Sequence, residues 1–153
     1  MAQFSRRTDA KDAECGGVAP VPKAPLIHSE LSNVILGAFF SVHSEFGFGF
    51  LEAIYVNSLT VLLTHSRLRV EREVPYKVYF RKQLVGQYKA DLVIESKVIV
   101  EVKAARTIVR QHTTQLLHYL KASGLELGLL LNFGEKAEFR RVVCSRSAPH
   151  LSA

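Results

Sequence analysis

The sequence has no apolar run close to the roughly 20 residues a helix needs to cross a bilayer. Its N-terminus lacks the hydrophobic segment of a signal peptide. Neither feature of a membrane or exported protein is found, so a cytoplasmic location with no membrane partner is expected. Cysteine is scarce: Cys15 and Cys144 are the only two, too few for a disulfide framework or a zinc cluster. Cys144 is expected to pack as a small apolar side chain. A Gly-x-x-x-x-Gly-Lys phosphate loop is missing as well, which counts against a small-molecule phosphohydrolase. What is present is globular material: 153 residues, 48% hydrophobic and 22% charged, enough for one domain with its own core.

The formal charge is +6. A basic surface favours polyanions because Lys and Arg release the counterions condensed on a phosphate backbone, so nucleic acid is the partner class to test first. Residues 1–25 mix Gly, Pro and charges of both signs, with Pro20, Pro22 and Pro25 favouring extended chain. They are expected to form a disordered tail before a single domain over 26–145, and 146–153 are expected to fray.

The spacing within the domain predicts an α/β fold with a mixed sheet. Leu31, Val34, Ile35, Ala38, Phe39 and Val42 recur at intervals of three and four, which predicts a helix capped by Ser29 and ending near Gly47 and Gly49. A second helix is expected over about 50–66 with Leu51, Ile54, Tyr55, Leu59 and Leu62 inward. Strands then follow over 68–73, 74–80, 84–94 and 98–103 as a meander. A helix over 110–123 crosses to an apolar strand over 125–132, and 138–143 closes the order. A strand, helix, strand connection implies that the strand over 127–131 runs parallel to the one over 98–102.

The stretch from Ala90 to Lys103 organises this scheme. Val98 to Lys103 is apolar enough to be buried on both faces, yet it carries Glu101 and Lys103. The period of two places Ile99, Glu101 and Lys103 on one face and Val98, Val100 and Val102 on the other. Buried charges cost several kcal/mol unless paired or bound, so valine would be the unforced choice at position 101. Asp91, on the preceding strand of a hairpin, can lie beside them. A plain salt bridge between Glu101 and Lys103 is the competing explanation. Two further groups invite the same comparison. Glu52 sits in a first helical turn, where an acid suits the helix dipole whatever its use, and Tyr55 lies on a nearby face. His112, Gln115 and Tyr119 form a polar row on their helix, which a solvated face would also produce.

Gly49-Phe50-Leu51-Glu52-Ala53-Ile54-Tyr55 is a literal Gly-x-x-Glu-x-x-Tyr. It occurs with Ala90-Asp91-Leu92-Val93, Glu101-Val102-Lys103, the stretch from His112 to Leu120 and the stretch from Gly128 to Gly134. In that order these motifs resemble the GxxExxY protein family of the PD-(D/E)XK nuclease superfamily, over about residues 27–143. Ala90 stands where the superfamily pattern has proline. The resemblance implies a restriction-endonuclease-like core with an acidic metal site. It makes Asp91 and Glu101 the ligands of magnesium or manganese, with the main-chain carbonyl of Val102 as a further donor, and Lys103 the catalytic lysine. Glu52 matches an additional acid for a coordinated water or a second ion. Gln115 and Tyr119 match a helix motif that positions the site or the phosphate, with His112 and Tyr55 as further substrate contacts. The implied activity is phosphodiester hydrolysis in nucleic acid, DNA in preference to RNA; a homodimer is a candidate assembly, since nucleases acting on two strands often dimerise. A nucleic-acid- or partner-binding module that keeps the fold without turnover is the alternative.

Overall fold

The computed structural model describes residues 26–145. The tail expected over 1–25, with Cys15, and the fraying expected over 146–153 lie outside the described residues. In chain order the elements are α1 (Ser29–Phe46), α2 (Glu52–His65), β1 (Val70–Phe80), β2 (Gln83–Ile94), β3 (Val98–Lys103), α3 (Arg110–Ser123), β4 (Leu127–Phe133) and β5 (Ala137–Val143). The strands lie side by side in sequence order in one sheet. β3 is its centre, antiparallel to β2 and parallel to β4, while the outer pairs are antiparallel. This is the mixed α/β architecture the sequence predicts, including the parallel crossover through α3.

The alternation in β3 divides the core in two. Val98, Val100 and Val102 pack beneath α1 and α2 with Leu127, Leu129 and Leu131 of β4. Ile99 packs on the opposite face with Leu116, Tyr119 and Leu120 of α3. Burial on both faces explains why β3 and β4 lack the polar alternation of a half-exposed strand. α3 lies close to the sheet because Gly128 leaves room for Leu116. An added Cβ there would lie 2.8 Å from Leu116 Cδ1.

β1 and β2 form a ribbon longer than the sheet it joins. β2 pairs with β3 only from Leu92 to Ile94, whereas it pairs with β1 along nearly its whole length. The ribbon also changes face. Val70, Leu92 and Ile94 pack toward α1 and α2, but Val74, Tyr76, Tyr88 and Ala90 pack toward α3. All are even-numbered, and an unbroken period of two would keep them on one side. The switch falls where Arg72 faces Leu92 and Val74 faces Ala90, so Glu73, with φ of 49°, stands across from Asp91. The carboxylate of Asp91 thus arises at the point where the ribbon rotates.

Several expectations are corrected. His28 in the left-handed region, not Ser29, is the N-cap of α1, and Ser32 Oγ donates to His28 O at 2.9 Å. α2 begins at Glu52 and buries Tyr55, Val56, Leu59 and Leu63. Leu51 and Ile54 are exposed, because the helix is apolar on most sides and its spacing does not single out a face. The two strands expected over 68–80 are one strand, since β2 pairs across the whole stretch. β4 starts at Leu127 rather than 125. Cys144 is half-buried and packs against the α3-side core, as expected. Among the described residues no helix is long and apolar enough to cross a membrane.

Candidate active site

At the C-terminal end of β3 the buried face carries its charges. Glu101 is 4% exposed, and its Oε1 lies 3.6 Å from Lys103 Nζ. Its other oxygen, Oε2, is buried without a hydrogen-bond donor. Asp91 reaches across from β2, where its Oδ2 accepts the Val102 N–H at 2.8 Å. Glu52, the first residue of α2, accepts the Ala104 N–H at 3.3 Å just beyond β3. Three carboxylates from three elements thus lie at this end of β3, and Lys103 pairs with Glu101.

The electrostatics record the crowding. Burial, and then the neighbouring Asp91 charge, push the Glu101 carboxyl up to about 8, against which Lys103 is too weak a counterweight. Asp91 is also raised, first by burial, although the Val102 N–H opposes this and Glu52 adds to it. Tyr119 is pushed up to about 12 by burial and by the charges of Glu101 and Asp91. This end of the sheet is short of positive charge. Among the described residues no three His, Cys, Asp or Glu side chains form a group able to hold a metal ion by themselves. The donors do suit a hard divalent cation. Magnesium needs only one or two carboxylates and fills its remaining positions with water and other oxygens, and Glu101 Oε2 is a buried oxygen with no hydrogen-bond partner.

Helix α3 brings the third part of the site. Gln115 Nε2 donates to Tyr119 Oη at 3.1 Å, and Tyr119 feels the charges of Glu101 and Asp91. Tyr119 is buried, not on the exposed row expected of it, because the ribbon covers that side of α3 and brings the Tyr88 ring to 4.9 Å. His112 Nδ1 accepts the Val109 N–H at 3.2 Å, capping the helix start. Burial and then the Lys103 charge lower its pKa, and with Nδ1 accepting a hydrogen bond the neutral ring carries its proton on Nε2. Tyr55 is placed differently. It is fully buried, stacked on Phe133 with centroids 4.1 Å apart. Its hydroxyl donates to Gly47 O at 2.8 Å and accepts the Phe50 N–H at 3.2 Å. Its part is to hold the turn ahead of Glu52, and it has no side-chain surface for substrate. That turn exposes Phe48 and Phe50.

Asn132 was not among the expected site residues. It is fully buried, and its amide makes two 2.9 Å bonds with Ala105, accepting from N and donating to O. It pins the loop that follows Lys103. The available signal was one amide in the otherwise apolar Leu127–Phe133 strand, since a buried polar side chain needs a stated partner.

A family model of the PD-(D/E)XK nuclease superfamily matches residues 29–142. The chain belongs to that superfamily. Its five-stranded mixed sheet and three helices are consistent with the restriction-endonuclease-like fold of such nucleases. No curated protein matches in sequence. A solved structure titled "Crystal structure of SSO0001" is similar with a TM-score of 0.50 and 18% identity, over 76% of this chain and 57% of that one. At that identity the likeness shows fold alone, and this chain spans little more than half of the other's length. Superfamily members are usually nucleases and generally use divalent metals such as magnesium or manganese. They act on nucleic acid.

Proposed function

We propose that this superfamily member is a metal-dependent nuclease of the GxxExxY branch, hydrolysing phosphodiester bonds in nucleic acid, DNA in preference to RNA. The observation that carries the reading is the buried Glu101 oxygen without a donor, beside Asp91 and Lys103. Burying mutually repelling carboxylates costs stability, and a bound cation would offset that cost. Asp91, Glu101 and the main-chain carbonyl of Val102 would hold the ion. When bound, a hard divalent cation neutralises phosphate charge and makes water a better nucleophile at neutral pH.

The side chains around it divide the remaining work. Lys103 orients the attacking water and offsets the charge that develops on the phosphate. It pairs with Glu101 at 3.6 Å, which holds its ammonium beside the site. Glu52 enters from α2 to hold a further water. Gln115 fixes the Tyr119 hydroxyl, and the pair positions the scissile phosphate. His112, with Nδ1 committed to the helix start, has Nε2 to donate to a phosphate oxygen.

The test is cleavage of single- and double-stranded DNA and RNA by purified protein in magnesium or manganese. Asp91→Asn and Lys103→Ala should each lower the rate by roughly 10²-fold or more while leaving the protein folded. Cleavage that persists in both variants would remove the assignment. Binding without cleavage in either metal, indifferent to Asp91→Asn, would mark a binding module instead.

A further inference from the structure

The β1–β2 ribbon continues well past the sheet. With β2 joined to β3 only over Leu92–Ile94, residues 74–90 have, among the described residues, no strand partner except each other. Val74, Tyr76 and Tyr88 anchor its base against the α3-side core. From Tyr79 to Gln87 every residue is exposed, with Phe80 at 62% and Val85 at 60%. A two-stranded hairpin of this kind is marginal alone and presents sheet edges that invite pairing. A fold that needed only a sheet would end it sooner.

We propose that this arm is the element that grips the substrate, and that the substrate it grips is single-stranded nucleic acid: Lys77, Arg81, Lys82 and Lys89 take phosphates while Tyr79 and Phe80 stack on unpaired bases. The reading of the site as a nuclease supplies only the identity of the polymer. The arm supplies the rest. Between Glu73 and Asp91 the chain has four cations and no acid, although acids make up 14 residues of the whole. Lys89 faces Glu73 at 3.5 Å at the base, and the others lie farther out. Arg81 and Lys82 both have positive φ, of 47° and 64°, the conformation of a two-residue type I′ turn that usually takes Asn-Gly. Two cations therefore occupy the tip at a steric cost of roughly 1 kcal/mol each. The Arg81 guanidinium lies over the Phe80 ring at 5.3 Å, so charge and aromatic surface share the same end.

This chemistry selects among partners. A second copy would bring the same cations against each other, since a two-fold contact repeats one patch on both sides. A duplex offers phosphates, but its bases are stacked and their faces covered, leaving the exposed rings unmatched. A single strand satisfies both, with phosphates for the cations and base faces for the rings. β2 then runs without interruption into Asp91, so a strand lying along the arm is led to the carboxylates. Phe48 and Phe50, exposed just ahead of Glu52, offer stacking surface at the site itself.

The experiment is fluorescence anisotropy with the full chain in EDTA, using a labelled single-stranded DNA and a blunt duplex of the same sequence. The parent should bind the single strand more tightly than the duplex. The double variant Arg81→Glu with Lys82→Glu, and separately Phe80→Ser, should each weaken single-strand binding by roughly tenfold or more. Lys121→Glu, an exposed charge reversal on α3, should weaken it much less. Thermal unfolding of each variant, expected to match the parent because the tip is exposed, controls for folding. Equal affinity for duplex and single strand would overturn the proposal, as would arm variants that bind like the parent or fall no further than Lys121→Glu. Arm-dependent binding with no metal-dependent cleavage would leave the arm standing and remove the nuclease reading. Cleavage that needs Asp91, with binding indifferent to the arm, would do the reverse.

Discussion

Glu101 concentrates the physical tension in this molecule. Its carboxyl is held near 8, far above its ordinary value, mainly by burial and by Asp91. The sign of the consequence follows from proton counting. Between the unfolded value of about 4.3 and the folded value the native state holds the extra proton, so the metal-free protein loses stability as pH rises through that window. Asp91, also raised, adds in the same direction. Glu101→Gln should raise the unfolding midpoint of the metal-free protein at pH 8, and should flatten its pH dependence above pH 5. Thermal denaturation in EDTA across that range is the check. A variant as pH-sensitive as the parent would show that another group carries the effect. The same substitution should remove metal-dependent cleavage, since it takes away one of the two carboxylates proposed to hold the ion.

At the scale of elements, two close contacts place α3 and the β2–β3 turn. Gly128→Ala would drive a methyl into the buried Leu116 at 2.8 Å. It should destabilise the protein by about 1–3 kcal/mol, measured by chemical denaturation, and lower activity by shifting Gln115 and Tyr119 with the helix. The β2–β3 turn holds Glu95 and Ser96 both at φ of 54°, closed by the Lys97 N–H to Ile94 O at 3.0 Å. Ser96→Gly should relieve strain of roughly 1 kcal/mol and raise the unfolding midpoint by a few degrees. These elements also show how much was legible in advance. The charges at 101 and 103 stood out because the rest of β3 is apolar, and the parallel β4 followed from the crossover. The burial of Tyr119 was not legible, because it depends on a ribbon that rotates at Glu73 and Asp91, and no local period encodes that turn. The role of Tyr55 was hidden for a similar reason. Its hydroxyl serves Gly47 and Phe50 in a loop whose shape becomes visible only when Phe133, far along the chain, stacks on the ring.

For the whole molecule, the fold brings α2, β2, β3 and α3 to one end of the sheet and leaves carboxylates there in excess of their local cations. The claim that this end is built around a divalent ion needs no assumption about substrate. Isothermal titration of magnesium or manganese into the parent and into Asp91→Asn is its most direct measurement. The account predicts saturable binding by the parent, with proton release near pH 7 as Glu101 ionises, and at least a tenfold loss in the variant. Parent protein that takes up neither ion, or a variant that binds as tightly as the parent, would contradict it.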